Sequence, residues 1–125
     1  MSFDERTLHD ITILACDGRL TFTAGAELRR RITAIGTGAA RKVVLNLERV
    51  SYVDSAGLGA IVDAYMQLRK RDGVMKFVNP SSRTRHVLQI TGIATLVETH
   101  PTVLAAVESF RVVPISLPAI GTGVS

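Results

Sequence analysis

The stretch that most constrains this chain runs from Val43 to Arg71, VVLNLERVSYVDSAGLGAIVDAYMQLRKR, where a β-branched apolar run meets an amphipathic helix through a polar turn. Val43-Val44-Leu45-Asn46-Leu47 is apolar almost throughout, the pattern of a strand covered on both faces or lying centrally in a sheet. Glu48 to Asp54 reads as a linker. From Ser55 onward, Leu58, Ile61, Val62, Tyr65 and Leu68 recur at helical spacing, predicting a helix over 55–71. Such a helix is ~25 Å long, enough to cross a small sheet. Asp72-Gly73 ends it, with Gly73 expected at the C′ position.

Elsewhere the pattern alternates. Ile11 to Cys16 is a strand candidate, Asp17-Gly18 a turn signal and Arg19 to Phe22 a returning strand, so this part reads as a β-hairpin. Thr23 is a candidate N-cap for a helix running through Arg31 and Ile35, with Leu28, Ile32 and Ile35 on one face and Glu27 near its positive end. Gly36-Thr37-Gly38 stops it. Val74 to Val78 is the next strand, and Asn79-Pro80-Ser81-Ser82 is a turn that offers an N-cap to a helix over 83–91, closed by Gly92. Leu96-Val97 is a candidate for a last short strand. Pro101-Thr102 then starts a helix with Val103, Ala106, Val107 and Phe110 on one face. Two strands followed by alternating helix and strand argue for an α/β fold, with a mixed sheet of about four to five strands and helices mainly on one face.

The chain has 125 residues, 46% of them hydrophobic, which suits one domain around one core. We expect the folded domain to span 1–111 and the uncharged, Pro- and Gly-containing segment 112–125 to be an irregular tail. The only cysteine, Cys16, lies in an apolar run and reads as a small buried hydrophobe. No disulfide framework exists, which fits a reducing compartment. The opening MSFDERTLHD lacks the apolar core of a signal peptide, and no apolar segment approaches the ~20 residues of a membrane span, so a soluble, cytoplasmic protein without a membrane partner is expected. A net charge of +4 and a pI near 9.8 raise nucleic acid as a partner, as do Arg29-Arg30-Arg31 and Arg69-Lys70-Arg71. Against it stand an aromatic content of 5%, the absence of Trp and the lack of any helix-turn-helix, RRM or zinc-finger spacing. Both clusters fall in the last turns of predicted helices, where cations favour the dipole and face water, so direct nucleic-acid binding is not expected.

The chemistry concentrates in Asp54-Ser55-Ala56-Gly57-Leu58-Gly59. A helix start leaves backbone N–H groups unpartnered, and an oxygen of Asp54 or Ser55 can cap them. Capping alone does not account for Gly57 and Gly59, each of which costs up to ~1 kcal/mol relative to Ala inside a helix. Glycines beside exposed N–H groups admit an anion or another main chain. Helical spacing assigns Ile61 to the core, while Leu58 can serve as core or contact. A hydrolase is not expected, because Val53 stands where the G-x-S-x-G elbow needs Gly, and His9, His86 and His100 are scattered, His86 reading as a surface residue. No Walker A sequence occurs, and Gly36-Thr37-Gly38 follows a helix instead of a strand, the wrong order for a dinucleotide fingerprint. Neither a catalytic residue, a cofactor nor a metal site is expected.

In order along the chain, Asp17-Gly18-Arg19-Leu20, Val44-Leu45-Asn46-Leu47, Val53-Asp54-Ser55-Ala56-Gly57-Leu58-Gly59, Val78-Asn79-Pro80-Ser81 and Val87-Leu88-Gln89-Ile90-Thr91-Gly92-Ile93 resemble STAS domains, and within them the bacterial anti-sigma factor antagonists. The resemblance spans about 11–110, and its most specific element is D-S-x-G-L-G. It implies that Ser55 is phosphorylated by the partner anti-sigma factor, a GHKL-type serine kinase. It also implies that the unphosphorylated form binds that partner and frees the sigma factor, that a PP2C-type phosphatase resets the switch, and that the chain is not an enzyme. The implied partner surface is Asp54 to Gly59 together with Thr21, where the family often has Asp; whether the change to Thr weakens kinase recognition or phosphoryl transfer stays open. Other roles of the same fold are a scaffold subunit of a stressosome or lipid transporter, or a nucleotide-binding module, and homodimerisation stays open.

Overall fold

The computed structural model describes residues 1–38 and 41–111; the tail expected at 112–125 lies outside the described residues. Ten elements follow one another: β1 (Ser2–Leu8), β2 (Ile11–Leu20), α1 (Phe22–Gly36), β3 (Lys42–Val53), α2 (Ser55–Lys70), β4 (Val74–Val78), α3 (Ser82–Ile90), a 3-10 turn (Ile93–Thr95), β5 (Thr99–His100) and α4 (Val103–Arg111). They build one five-stranded mixed sheet in the order β1-β2-β3-β4-β5, antiparallel between β1 and β2 and parallel from β2 to β5.

Parallel strands laid down in chain order, joined by crossovers of the usual right hand, oblige the connecting helices to lie on one face. Leu28 and Ile32 of α1, Ile61 and Leu68 of α2 and Leu88 of α3 accordingly share a core with Leu14, Val43, Leu45 and Phe77 of the strands. Each such fully buried side chain is worth about 1.5–3 kcal/mol. Helix α4 follows β5, the last of the described strands, and is not a crossover between any two of them. It covers the other face, where Ala106 and Val107 meet Ile11, Val44 and Val78. Lys76 of β4 fastens it: its Nζ donates to Ser109 Oγ at 2.7 Å, lies 3.2 Å from a Glu98 carboxylate oxygen and sits over the Phe110 ring. That ammonium, with His100 beside it, holds the Glu98 carboxyl below its ordinary pKa.

Several expectations are corrected. The hairpin exists, but its turn is at His9-Asp10 and its first strand is β1. Asp17-Gly18 lies inside β2, where Gly18 takes φ +120° between two register irregularities against β3, so the glycine marks a bulge and not a turn. Phe22 begins α1 instead of ending a strand, and its N-cap is Thr21, not Thr23. Arg29-Arg30-Arg31 therefore sits in mid-helix, where Arg30 and Arg31 pair with Glu27. The supposed linker from Glu48 is strand as far as Val53, because β3 outruns β4 and keeps pairing with β2 alone. Leu96-Val97 is not a strand; the short β5 is Thr99–His100.

At the end of α2, Asp72 and not Gly73 takes the left-handed conformation, with φ 58°. Asp72 N–H bonds Arg69 O and Gly73 N–H bonds Leu68 O, a Schellman closure. Gly73 is needed for space, since a Cβ there would stand 2.5 Å from Leu68 Cγ and 2.8 Å from Arg41 O. Cys16 is buried, and burial pushes its thiol up to about 12, in keeping with a core role. His86 is exposed on α3.

Candidate functional site

The parallel strands β2 and β3 end in register, Leu20 opposite Val53, and the Asp54 N–H adds one more ladder bond to Leu20 O at 3.3 Å. Each chain then turns directly into a helix. Thr21 and Asp54, about 5 Å apart across the ladder, are therefore twin N-caps of adjacent helices. Their carbonyls accept the first intrahelical bonds, from Gly25 N–H at 2.7 Å and Leu58 N–H at 2.9 Å. The structure thus gathers Thr21 and the whole of Asp54 to Gly59 at the carboxyl edge of the parallel strands, the end of an open α/β sheet where ligands usually bind.

The two starts differ in chemistry. An Asp54 carboxylate oxygen accepts from Gly57 N–H at 2.7 Å, closing a side-chain cap, whereas the Thr21 side chain makes no cap bond. Of the two oxygens that the sequence offers as caps for α2, the carboxylate takes the place. Ser55 is left at the first helical position, exposed, with its hydroxyl directed to no capping duty. Beside it, Phe22 opens α1 with 72% of its surface exposed. Sequence reading missed Phe22 because a strand assignment for Arg19 to Phe22 hid it; an exposed aromatic at a helix start was the available signal.

The glycines divide. A Cβ on Gly57 would stand 1.9 Å from the Leu20 carbonyl oxygen, so this glycine clears the chain's own strand end and not a visiting backbone. Gly59 is different: apart from the backbone of α2 itself, its notional Cβ meets among the described residues just Arg29 Nη2, at 3.9 Å. One helix further back, a Cβ on Gly25 would lie 2.9 Å from Ala60 Cβ, which is where α1 and α2 press together. Ala56 and Leu58 are half-buried, Leu58 packing on the core, and Ile61 is fully buried, as its spacing implies. Among the described residues no group of three or more His, Cys, Asp or Glu could hold a metal, and no helix is long and apolar enough to cross a membrane.

Among the described residues, a five-stranded mixed sheet with four helices and an Asp-capped helix start that carries an exposed serine defines a small α/β module. The chain belongs to the STAS domain family, whose model matches residues 2–106. Among curated relatives, the anti-sigma-B factor antagonist of Staphylococcus aureus is 33% identical over 79 residues, covering 63% of this chain and 73% of that protein. The anti-sigma F factor antagonist of Lysinibacillus sphaericus is 29% identical over 90 residues, covering 71% and 77%. Among solved structures, the anti-sigma factor antagonist SpoIIAA in its unphosphorylated form superposes with a TM-score of 0.78 at 25% identity, covering 90% of this chain and 99% of that one. The Bacillus SpoIIAA in its phosphorylated form gives 0.73 at 25% identity, over 88% and 100%. The chain is thus a STAS domain of the anti-sigma factor antagonist kind.

Proposed function

We propose that this protein binds an anti-sigma factor that is also a GHKL-type serine kinase, through Thr21, the neighbouring Phe22 and the run from Asp54 to Gly59, and that phosphorylation of Ser55 ends the association. Binding releases the sigma factor. The kinase then passes the γ-phosphoryl group of ATP to Ser55 Oγ, the hydroxyl proton leaving to a base on the kinase and ADP departing. A PP2C-type phosphatase returns the serine by hydrolysis, giving inorganic phosphate. The chain is the substrate of both steps and catalyses neither, and such a switch works in the cytoplasm.

The observation that carries this reading is the division of labour at the α2 start: Asp54 holds the cap and leaves the Ser55 hydroxyl exposed. Phosphate there adds roughly −1.5 to −2 charge. The helix dipole offsets it by about 0.3–1 kcal/mol, and the cap bond need not break, so the fold survives. At an interface the same charge meets desolvation and any facing carboxylate, which costs several kcal/mol. The switch therefore acts on association and not on folding.

Incubation of the protein with candidate GHKL kinases and ATP, followed by mass spectrometry of the Ser55 peptide, tests the modification. Ser55→Asp should bind the kinase at least tenfold more weakly, about 1.4 kcal/mol, with an unchanged circular dichroism spectrum. Undiminished binding by that variant, or no phosphate on Ser55 with any kinase that binds the chain, refutes the proposal.

A further inference from the structure

Arg29 joins α1 to α2, its Nε donating to Asp63 Oδ2 at 2.9 Å. Its Nη2 reaches past that bond and lies over Gly59, 3.9 Å from where a Cβ would be. Ser55, Gly59 and Asp63 are each four residues apart, so they form a single line along α2, neighbours in it about 6 Å apart. Arg29 consequently stands one helical turn from Ser55, and between them is a residue without a side chain. The other two members of the basic cluster are occupied elsewhere, Arg30 and Arg31 both pairing with Glu27.

Gly59 has no steric reason to be glycine, since an added Cβ would make only ordinary contact. It nevertheless weakens a helix. What its bareness does provide is an open path from the guanidinium to the Ser55 hydroxyl.

We propose that Arg29 is the receptor for the phosphate on Ser55: on phosphorylation it exchanges its bond to Asp63 for a bidentate pair with the phosphoserine oxygens. The inference rests on the reading of Ser55 as the phosphoacceptor and assigns the residue that senses it. A planar guanidinium matches two phosphate oxygens, and Nε with Nη2 supplies the fork. The consequence reaches beyond the phosphate. Asp63, exposed and now without its cation, becomes a second bare negative charge two turns along the same face, ~12 Å from Ser55. A partner that covers α2 then meets repulsion at both points.

The test uses the full chain with phosphoserine genetically encoded at position 55, so it does not depend on any kinase. The second ionisation of the phosphate is followed by phosphorus NMR. Its pKa should lie roughly half a unit lower in the otherwise unaltered chain than in Arg29→Gln. Asp63→Asn should lower it further, and by less when Arg29→Gln is also present, because removing Asp63 then frees no arginine. In the chain carrying no other change, the Arg29 Nε–H signal should move between the serine and phosphoserine forms. Equal phosphate pKa values with and without Arg29, or an unmoved Arg29 signal, overturn the inference. Failure of every kinase to modify Ser55 would instead overturn the functional reading and leave these readouts intact.

Discussion

Two helices start side by side at one end of the sheet, and they solve the same problem differently. The α2 start is closed by the Asp54 carboxylate on Gly57 N–H, while the α1 start, under Thr21, has no side-chain cap and exposes Phe22. Both first turns hold a glycine in tight contact, Gly57 of α2 against the Leu20 carbonyl at the strand end and Gly25 of α1 against Ala60 of α2. The lesson is that the start carrying the exposed serine is held by a side-chain cap as well as by a glycine contact, whereas the α1 start has the glycine contact alone. The α1 start offers the exposed apolar ring of Phe22 instead. A charge placed on Ser55 therefore arrives at a helix start whose cap is already supplied by the Asp54 carboxylate.

The strongest way to break this comparison is Gly57→Ala. Its methyl group would overlap the Leu20 carbonyl oxygen, a backbone atom that cannot step aside without disturbing the β2–β3 ladder. We expect a loss of about 3 kcal/mol even after the gain in helix propensity, read as a shift of the urea midpoint. A change below 1 kcal/mol would show that the α2 start can move away from the sheet. Next comes Asp54→Ala, which removes the cap bond and should cost about 1 kcal/mol. That lowers the melting temperature by roughly 4 °C for a chain of this size. Thr21→Ala, with no cap bond to lose, should cost only a few tenths; equal losses at the two positions would erase the distinction between the starts.

The reverse sign is expected at Gly59. An alanine there meets only Arg29 Nη2 at van der Waals distance, so Gly59→Ala should stabilise the domain by about 0.8 kcal/mol. Two glycines two residues apart in one helix would then respond in opposite directions, and a destabilised Gly59→Ala would mean that the space beside it is already used by the fold.

How much of this was legible in the sequence follows from what each signal depends on. The faces of α1, α2 and α4 were readable because burial against one sheet imposes a helical period, and Leu28, Ile32, Ile61, Leu68 and Val107 obey it. The strand β1 was not, because an edge strand is kept soluble by charge, and Asp4, Glu5 and Arg6 look like a loop until their pairing with β2 is seen. Glu48 to Val53 looked like a linker for a related reason: that half of β3 has one neighbour, so its polar residues face water. At the site, the exposed serine and its helix start were visible in Asp54-Ser55. Which oxygen caps was not, since both residue types do so equally well. The purpose of Gly57 was hidden too, because it depends on Leu20, far away in sequence and adjacent only after the sheet forms.

The smallest effect is the most discriminating. Thr21→Asn offers α1 the cap it lacks without adding charge and should stabilise by about 0.5 kcal/mol. Thr21→Asp offers the same cap, but places a second carboxylate about 5 Å from Asp54 across the ladder. In a water-like medium that repulsion is worth up to ~0.8 kcal/mol, enough to cancel the gain. Asn should therefore outdo Asp at low ionic strength, and the difference should shrink as salt screens the pair. If the two variants were equally stabilising at all salt concentrations, the neighbouring starts would be electrically independent. A phosphate on Ser55 would then leave the cap position of α1 unaffected, and any influence on that helix would have to run through Arg29.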